Sequence, residues 1–230
     1  STVQELLTRI DVCLFLGWSW LVPNDLIDSK PCYCFHPSSL PSFAGGSPIQ
    51  NQVFNGVFNS SLSVFRMTKH IDAGPVIDHA ALYLGGPIER VFDRISDLGG
   101  VLAQNLIHRL VTEGVSLPSH FKPDDAIPLD TLPRRKPQHS ELTISYIKTL
   151  KFQYFKNIVE VLRDPYPNIF IRSDSYILNI KFVNFQKEVF DQLVISKNDD
   201  IKQAYLSECG FVLEVLNGYA EVTEYTLVKL

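Results

Sequence analysis

Two side chains in this sequence have types and surroundings suited to proton transfer, His36 and Asp72. His36 closes the apolar, strand-like run Tyr33 to His36. Pro-Ser-Ser-Leu-Pro and a Gly45-Gly46-Ser47-Pro48 turn follow it. Asp72 sits in Asp-Ala-Gly-Pro, after a second strand-like run. An imidazole changes charge near neutrality and can take a proton from an attacking amine. A carboxylate beside it can orient it and stabilise its charge, or act through a water. Strand ends of an α/β sheet are where such groups are usually delivered. The same residues also suit structural work, His36 as a strand-end cap and Asp72 as the turn residue before Gly74. Spacing alone leaves both readings open.

The remaining chemistry-bearing residues narrow the field. Cys32 and Cys34 form C-x-C without zinc-site spacing, and Cys13 and Cys209 supply no second pair. The expectation is reduced thiols and no metal. Lys and Arg number 21 against 25 Asp and Glu, a net charge of −4, so no broad basic field is present to hold a nucleic-acid backbone. Arg134-Arg135-Lys136 is the local exception. It fits either an anion such as a diphosphate or a solvated charge run. The longest uncharged run, Val12 to Asn24, is too short to span a membrane, and no secretory signal is visible. A cytoplasmic location is expected, and the Asn59-Ser60-Ser61 glycosylation triplet is read as chance.

The elements that must carry these residues follow from periodicity. Val12 to Trp18 is a continuous apolar run, as in a buried parallel strand, and Tyr33 to His36 is a second one. Thr2 to Ile10 and Pro48 to Asn55 read as helices, and Pro23 to Asp28 as a short one. Ser61 to Met67 and Val76 to Leu84 read as strands. In Ile88 to Glu113, Val91, Ile95, Leu98, Leu102, Leu106 and Leu110 recur at three- and four-residue steps, and Gly114 stops the helix. Pro118 to Pro137 carries five prolines and reads as a linker. Ser140 to Leu162 is helical with a break near Leu150. Ile169 to Phe185 and Gly210 to Leu230 are hairpins, the second turning at Asn217-Gly218. The organisation expected is residues 1–145 as an α/β catalytic layer and 146–230 as a small β-rich unit.

His36-Pro-Ser-x-Leu-Pro, then Gly45-Gly46-Ser47-Pro48-Ile49-Gln50, then Ile71-Asp72-Ala73-Gly74-Pro75 resembles the formyltransferase family that uses 10-formyltetrahydrofolate. The resemblance covers about Asp11 to Gly114, with an echo at Asp164-Pro-Tyr-Pro-Asn. It implies a Rossmann-like, mainly parallel sheet flanked by helices, with a small C-terminal β-rich unit. It also implies an Asn, His and Asp catalytic group, of which His36 and Asp72 match two. The Asn position falls on Cys34, a thiol being a poor substitute for an amide donor at an oxyanion. Asn51, one turn into the next helix, is the candidate replacement. The family Arg before the glycine is Ala44 here. The family usually opens with a strand and a glycine turn that are not seen ahead of Thr2.

The resemblance also assigns ligands. Leu16, Gly17 and Trp18 with His70, Ile71 and Asp72 would line a slot for the folate's pteridine. Ordinary core packing is the competing reading for Trp18 and Trp20. Gly45, Gly46, Ser47, Gln50, Arg134, Arg135 and Tyr166 would face the acceptor. The short C-terminal unit is similar to that of enzymes formylating a primary amine on a nucleotide-linked amino-dideoxy sugar. The expectations are folate as co-substrate, no metal, a nucleotide-sugar partner and a homodimer. Methionyl-tRNA formyltransferase, formyltetrahydrofolate hydrolase and a binding module with a degenerate site are the alternatives.

Overall fold

The computed structural model describes residues 9–113, 131–186, 205–207 and 210–230. The expected helix at Thr2 to Ile10, nearly all of it, most of the Pro118 to Pro137 segment, and Cys209 lie outside them. The chain divides into two compact units, residues 1–84 with 91–134 and residues 85–90 with 135–230.

In the first unit a four-stranded sheet has the order β1-β2-β3-β4. The strands are β1 Cys13–Leu16, β2 Cys32–His36, β3 Asn59–Arg66 and β4 Val76–Tyr83. Helix α1, Asn24–Ser29, lies in the β1–β2 connection, and α2, Pro48–Phe54, lies between β2 and β3. The sheet is mixed and not mainly parallel: only β1 and β2 run together, while β2–β3 and β3–β4 are antiparallel. The β3–β4 link, residues 67–75, is too short for the dozen or more residues that a parallel crossover needs. β1 is an edge strand among the described residues, so its apolar side chains are only partly covered, and not buried on both faces as the run suggested.

The middle strands supply the core. Cys32, Tyr33, Phe35, Leu62, Val64 and Phe65 are buried. The long helix α3, Ile88–Thr112, buries Val91, Leu102 and Leu106, three of the periodic positions. No helix among the described residues is long and apolar enough to cross a membrane.

The second unit holds a 3₁₀ turn at Pro137–Ser140, the single turn α4 Ile144–Ile147, and α5 Phe152–Val161. Its five-stranded sheet has the order β5-β6-β9-β8-β7, with β5 Ile169–Arg172, β6 Tyr176–Gln186, β7 Tyr205–Ser207, β8 Gly210–Val215 and β9 Gly218–Lys229. Every pair in it is antiparallel. The expected break at Leu150 is where α4 gives way to α5. The Leu150 carbonyl there accepts from Leu216, and Asn217 Oδ1 accepts the Phe152 N–H at 2.8 Å. The Asn217-Gly218 turn therefore closes the β8–β9 hairpin and anchors the start of α5 at once. Phe155, Ile158, Leu178, Ile180, Leu213 and Val222 are buried and form this unit's core.

Candidate active site

His36 ends β2, and register defines its neighbours. His36 lies opposite Ser63, and Tyr33 lies opposite Arg66. β3 therefore ends beside the beginning of β2, where the Met67 N–H donates to the Cys32 carbonyl at 2.8 Å. Asp72 leaves from that far end, yet its Oδ2 lies 3.5 Å from His36 Nδ1. Both side chains are largely buried, at 9 % and 14 % exposure. The carboxylate is not delivered at a neighbouring strand end, as its place in the sequence suggested. Its loop doubles back along β2, a span of roughly 10 Å from Tyr33 to His36.

Two main-chain features make the return possible. Asp72 takes φ = 51°, a left-handed conformation that an Asp tolerates better than most residues. Gly74 presses onto β3 so closely that a Cβ there would stand 1.6 Å from the Arg66 carbonyl oxygen. The glycine of Asp-Ala-Gly-Pro is thus required by a backbone-on-backbone contact.

Cys34 lies two residues before His36 on the same face of β2, under the returning loop. Burial first, and then the nearby Asp72 charge, push its thiol up to about 12 from an ordinary 9.0; a backbone hydrogen bond at Phe35 opposes them. The side chain at the family's Asn position is therefore a neutral thiol and not a thiolate nucleophile.

The His36 ring is held on its other side. Nε2 lies 3.1 Å from the Phe43 carbonyl oxygen, which can only accept, so Nε2 carries a proton in this arrangement and Nδ1 faces the carboxylate. Phe43 has φ = 57° and Ser47 φ = 51°, so the loop following His36 contains two further left-handed residues. Such conformations cost about 1–3 kcal/mol each and persist only where surrounding bonds fix them. Those bonds are present. Ser38 Oγ donates to the Ser42 carbonyl at 2.8 Å, and Ser63 Oγ donates to the Ser38 carbonyl at 2.6 Å. Gln52 Nε2 donates to the carbonyls of Pro37, at 2.7 Å, and Pro48, at 3.0 Å, while its Oε1 accepts from Ser60. Gln52 and Ser63 are the positioning residues that sequence reasoning missed. The signal available for Gln52 was a polar residue on the buried side of α2.

The Gly45-Gly46 pair works through its main chain. Gly45 N–H donates to Asp72 Oδ2 at 2.7 Å, and Gly46 N–H donates to the Leu132 carbonyl at 2.7 Å. A Cβ on Gly45 would meet Leu132 O at 2.5 Å, and one on Gly46 would meet Arg134 N at 2.5 Å. The glycines let residues 131–134 lie directly on the turn. Asn51 is buried, and its Nδ2 donates to the Gly46 carbonyl at 2.8 Å. This amide braces the turn with one of its two N–H donors. Gln50 is buried in α2.

The other expected site residues divide between the units. Leu16 and Trp18, at 47 % and 48 % exposure, and Gly17 follow from the end of β1 beside Phe35. Ile71 is half-exposed, and His70 N–H donates to Thr68 Oγ1 at 3.2 Å within the Asp72 loop. Arg134 is exposed in the first unit, with Nη2 3.4 Å from the Ser19 carbonyl. Arg135 belongs to the second unit, where its guanidinium donates to the His139 carbonyl and braces the 3₁₀ turn; burial lowers its pKa from the ordinary value. Tyr166 is also in the second unit, its N–H on the Arg163 carbonyl. Among the described residues, no group of three or more His, Cys, Asp or Glu could hold a metal ion.

Residues 2–85 match the family model described as formyl transferase. Over 98 % of its length the chain is 27 % identical to 70 % of the methionyl-tRNA formyltransferase of Lachnospira eligens. Against several other methionyl-tRNA formyltransferases it spans only 36 to 38 % of their length. Two solved structures share the fold. The methionyl-tRNA formyltransferase from Clostridium thermocellum matches with a TM-score of 0.61 and 24 % identity, over 81 % of this chain and 77 % of that one. The N-formyltransferase from Helicobacter canadensis, in complex with folinic acid and dTDP-3-aminofucose, matches with a TM-score of 0.62 and 14 % identity, over 98 % and 78 %. The fold is thus that of formyltransferases, an α/β layer with a β-rich C-terminal unit.

Proposed function

We propose that the chain transfers a formyl group from 10-formyltetrahydrofolate to a primary amine, with His36 and Asp72 as the catalytic pair. The observation that carries this reading is the doubled-back loop, which spends a left-handed Asp and an obligatory glycine on bringing a carboxylate to an imidazole. The folate supplies an electrophilic formyl carbon. His36 is the donor we assign to the oxygen gaining negative charge as the amine attacks, its Nε2–H exchanging the Phe43 carbonyl for that oxygen. Asp72, aimed by Gly45 N–H, is the base we assign to the proton the amine must shed, and that proton passes to the folate N10 as the bond from N10 to the formyl carbon breaks. Half-exposed Leu16, Trp18 and Ile71 offer apolar surface suited to a flat pteridine.

The acceptor we favour is the amine of a nucleotide-linked amino-dideoxy sugar. A net charge of −4 gives little attraction to a tRNA backbone, and a neighbour of the same fold was solved with a dTDP-amino sugar. The second reading is methionyl-tRNA, favoured by the similarity to methionyl-tRNA formyltransferases. One experiment tests both. The chain is incubated with 10-formyltetrahydrofolate and either dTDP- and UDP-linked amino sugars or charged initiator tRNA, and formylated product is measured. Formate release without any amine would indicate a hydrolase. No product with any acceptor, and no formate, would overturn the enzyme reading.

A further inference from the structure

Tyr33 is fully buried in β2, yet its hydroxyl meets no hydrogen-bond partner. Leaving a buried polar group unpaired is costly, so this one needs a reason. Its surroundings are cationic. Arg66 lies directly opposite on β3, with its Cζ 5.4 Å from the centre of the Tyr33 ring. The Arg66 side chain is partly buried, and no acid among the described residues lies within ion-pair distance of it. A second guanidinium arrives from α3. Arg109 Nη1 lies 3.5 Å from the carbonyl of Ile77 on β4, at the register shift beside Phe65, the residue before Arg66. Its Nε is 3.8 Å from Glu113 Oε2, but that carboxylate is 66 % exposed and neutralises little.

Burial raises the Tyr33 pKa, and the charges of Arg66 and then Arg109 oppose the rise. The phenol is therefore a neutral O–H donor standing in the field of both arginines. The cluster has donors from three elements and lacks an acceptor. It is also separate from the His36–Asp72 pair. Tyr33 precedes His36 by three residues, roughly 10 Å along the strand, and so projects from the other face of β2. The Arg66 main chain clamps the Asp72 loop, its N–H on the Pro75 carbonyl at 3.0 Å, while its side chain stands with Tyr33.

We propose that the Tyr33 hydroxyl, Arg66 and Arg109 form a second ligand site, one that takes a phosphate group. A carboxylate offers two oxygens in one plane and is satisfied by a single guanidinium. A phosphate offers tetrahedral oxygens, enough for two guanidinium groups and a hydroxyl approaching from β2, β3 and α3. The shared chemistry is a phosphate oxyanion, either the free ion or a phosphomonoester on a larger molecule. The site does not depend on the formyl-transfer reading.

The wild type and the Y33F, R66Q and R109Q variants are titrated by calorimetry with inorganic phosphate, glycerol 2-phosphate and acetate, at constant ionic strength. Thermal unfolding is followed in parallel. Phosphate is expected to bind the wild type saturably and to raise its Tm, while acetate does neither. R66Q and R109Q should each lose roughly tenfold or more in phosphate affinity, and Y33F roughly threefold or more. Without phosphate, Y33F should melt no lower than the wild type, because the hydroxyl it removes has no partner to lose. If Y33F does not fold, the two arginine variants carry the test. The tighter of the two phosphates identifies the source. No saturable binding to the wild type overturns the site. So does an affinity equal in the wild type and R66Q, which would mean an adventitious ion only. His36→Ala should abolish formyl transfer and leave phosphate affinity unchanged, and loss of both would refute a separate site. A wild type that never transfers formyl but shows these affinity losses would sink the proposed chemistry and keep the phosphate site.

Discussion

Replacing Gly74 with alanine should uncouple His36 from Asp72 without touching either residue. The new Cβ would start 1.6 Å from the Arg66 carbonyl oxygen, whereas real contacts essentially never fall below 3.0 Å. The loop must therefore lift from β3 by at least about 1.4 Å, the difference between these two distances. The bond at risk is Gly45 N–H to Asp72, 2.7 Å long, because a lift of that size takes it beyond hydrogen-bonding range. A hydrogen bond to a charged group is worth about 1.5–3 kcal/mol, so unfolding free energy should fall by about that much. A misplacement on the order of 1 Å costs about 100-fold in rate, and kcat should fall accordingly, with KM for the folate changing less. Steady-state kinetics and urea unfolding measure the two effects, and Ala73→Gly, one residue earlier, is the control. A G74A variant within about threefold of wild-type kcat would refute the idea that this backbone contact sets the position of Asp72.

Four further outcomes are expected. His36→Ala and Asp72→Asn should each lower transfer by roughly 10²–10⁴-fold while the chain stays folded, and full activity in either variant would remove that residue from the mechanism. With its thiol pushed up to about 12 from 9.0, Cys34 should be alkylated by iodoacetamide at pH 8 on the order of 10³-fold more slowly than an unperturbed thiol, as peptide mass mapping would show. The folded state keeps that proton when the unfolded chain has lost it, so this contribution to stability is complete below pH 9 and is lost as pH rises toward about 12. Urea midpoints across that window should fall less steeply in Cys34→Ala. Gln52→Ala leaves the Pro37 carbonyl and the Ser60 hydroxyl without their partner and should cost about 2–3 kcal/mol in chemical denaturation, with activity falling in parallel.

The strands and helices were legible because each has a period or a continuous apolar run. α3 shows six apolar positions at helical steps, and the β8–β9 turn announces itself as Asn217-Gly218. The pairing of His36 with Asp72 was legible only through the motifs around them. Spacing carries no sign that the Asp72 loop doubles back along β2, since that depends on a main-chain contact at Gly74. Strand direction was also hidden. An apolar run looks the same in a parallel and an antiparallel sheet, and only the short link at residues 67–75 held the information. Asn51 was an inviting substitute for the missing amide because it lies close in sequence. One of its two N–H donors is used on Gly46, a fact set by the turn and by no property of Asn51 itself. That the glycines at 45 and 46 also clear space for residues 131–134 could not be seen in the sequence.

The loop that folds back over β2 gives the residue at position 34 an unusual job. Asp72 comes close enough to that side chain for its charge to help push the thiol up, so position 34 and the acid are electrostatically linked. With a compact thiol in place, the gap is 3.5 Å, wider than the 2.7–2.9 Å of a tight charge-assisted hydrogen bond. A charged side chain at this one position would change the field felt by the carboxylate, with neither His36 nor Asp72 altered.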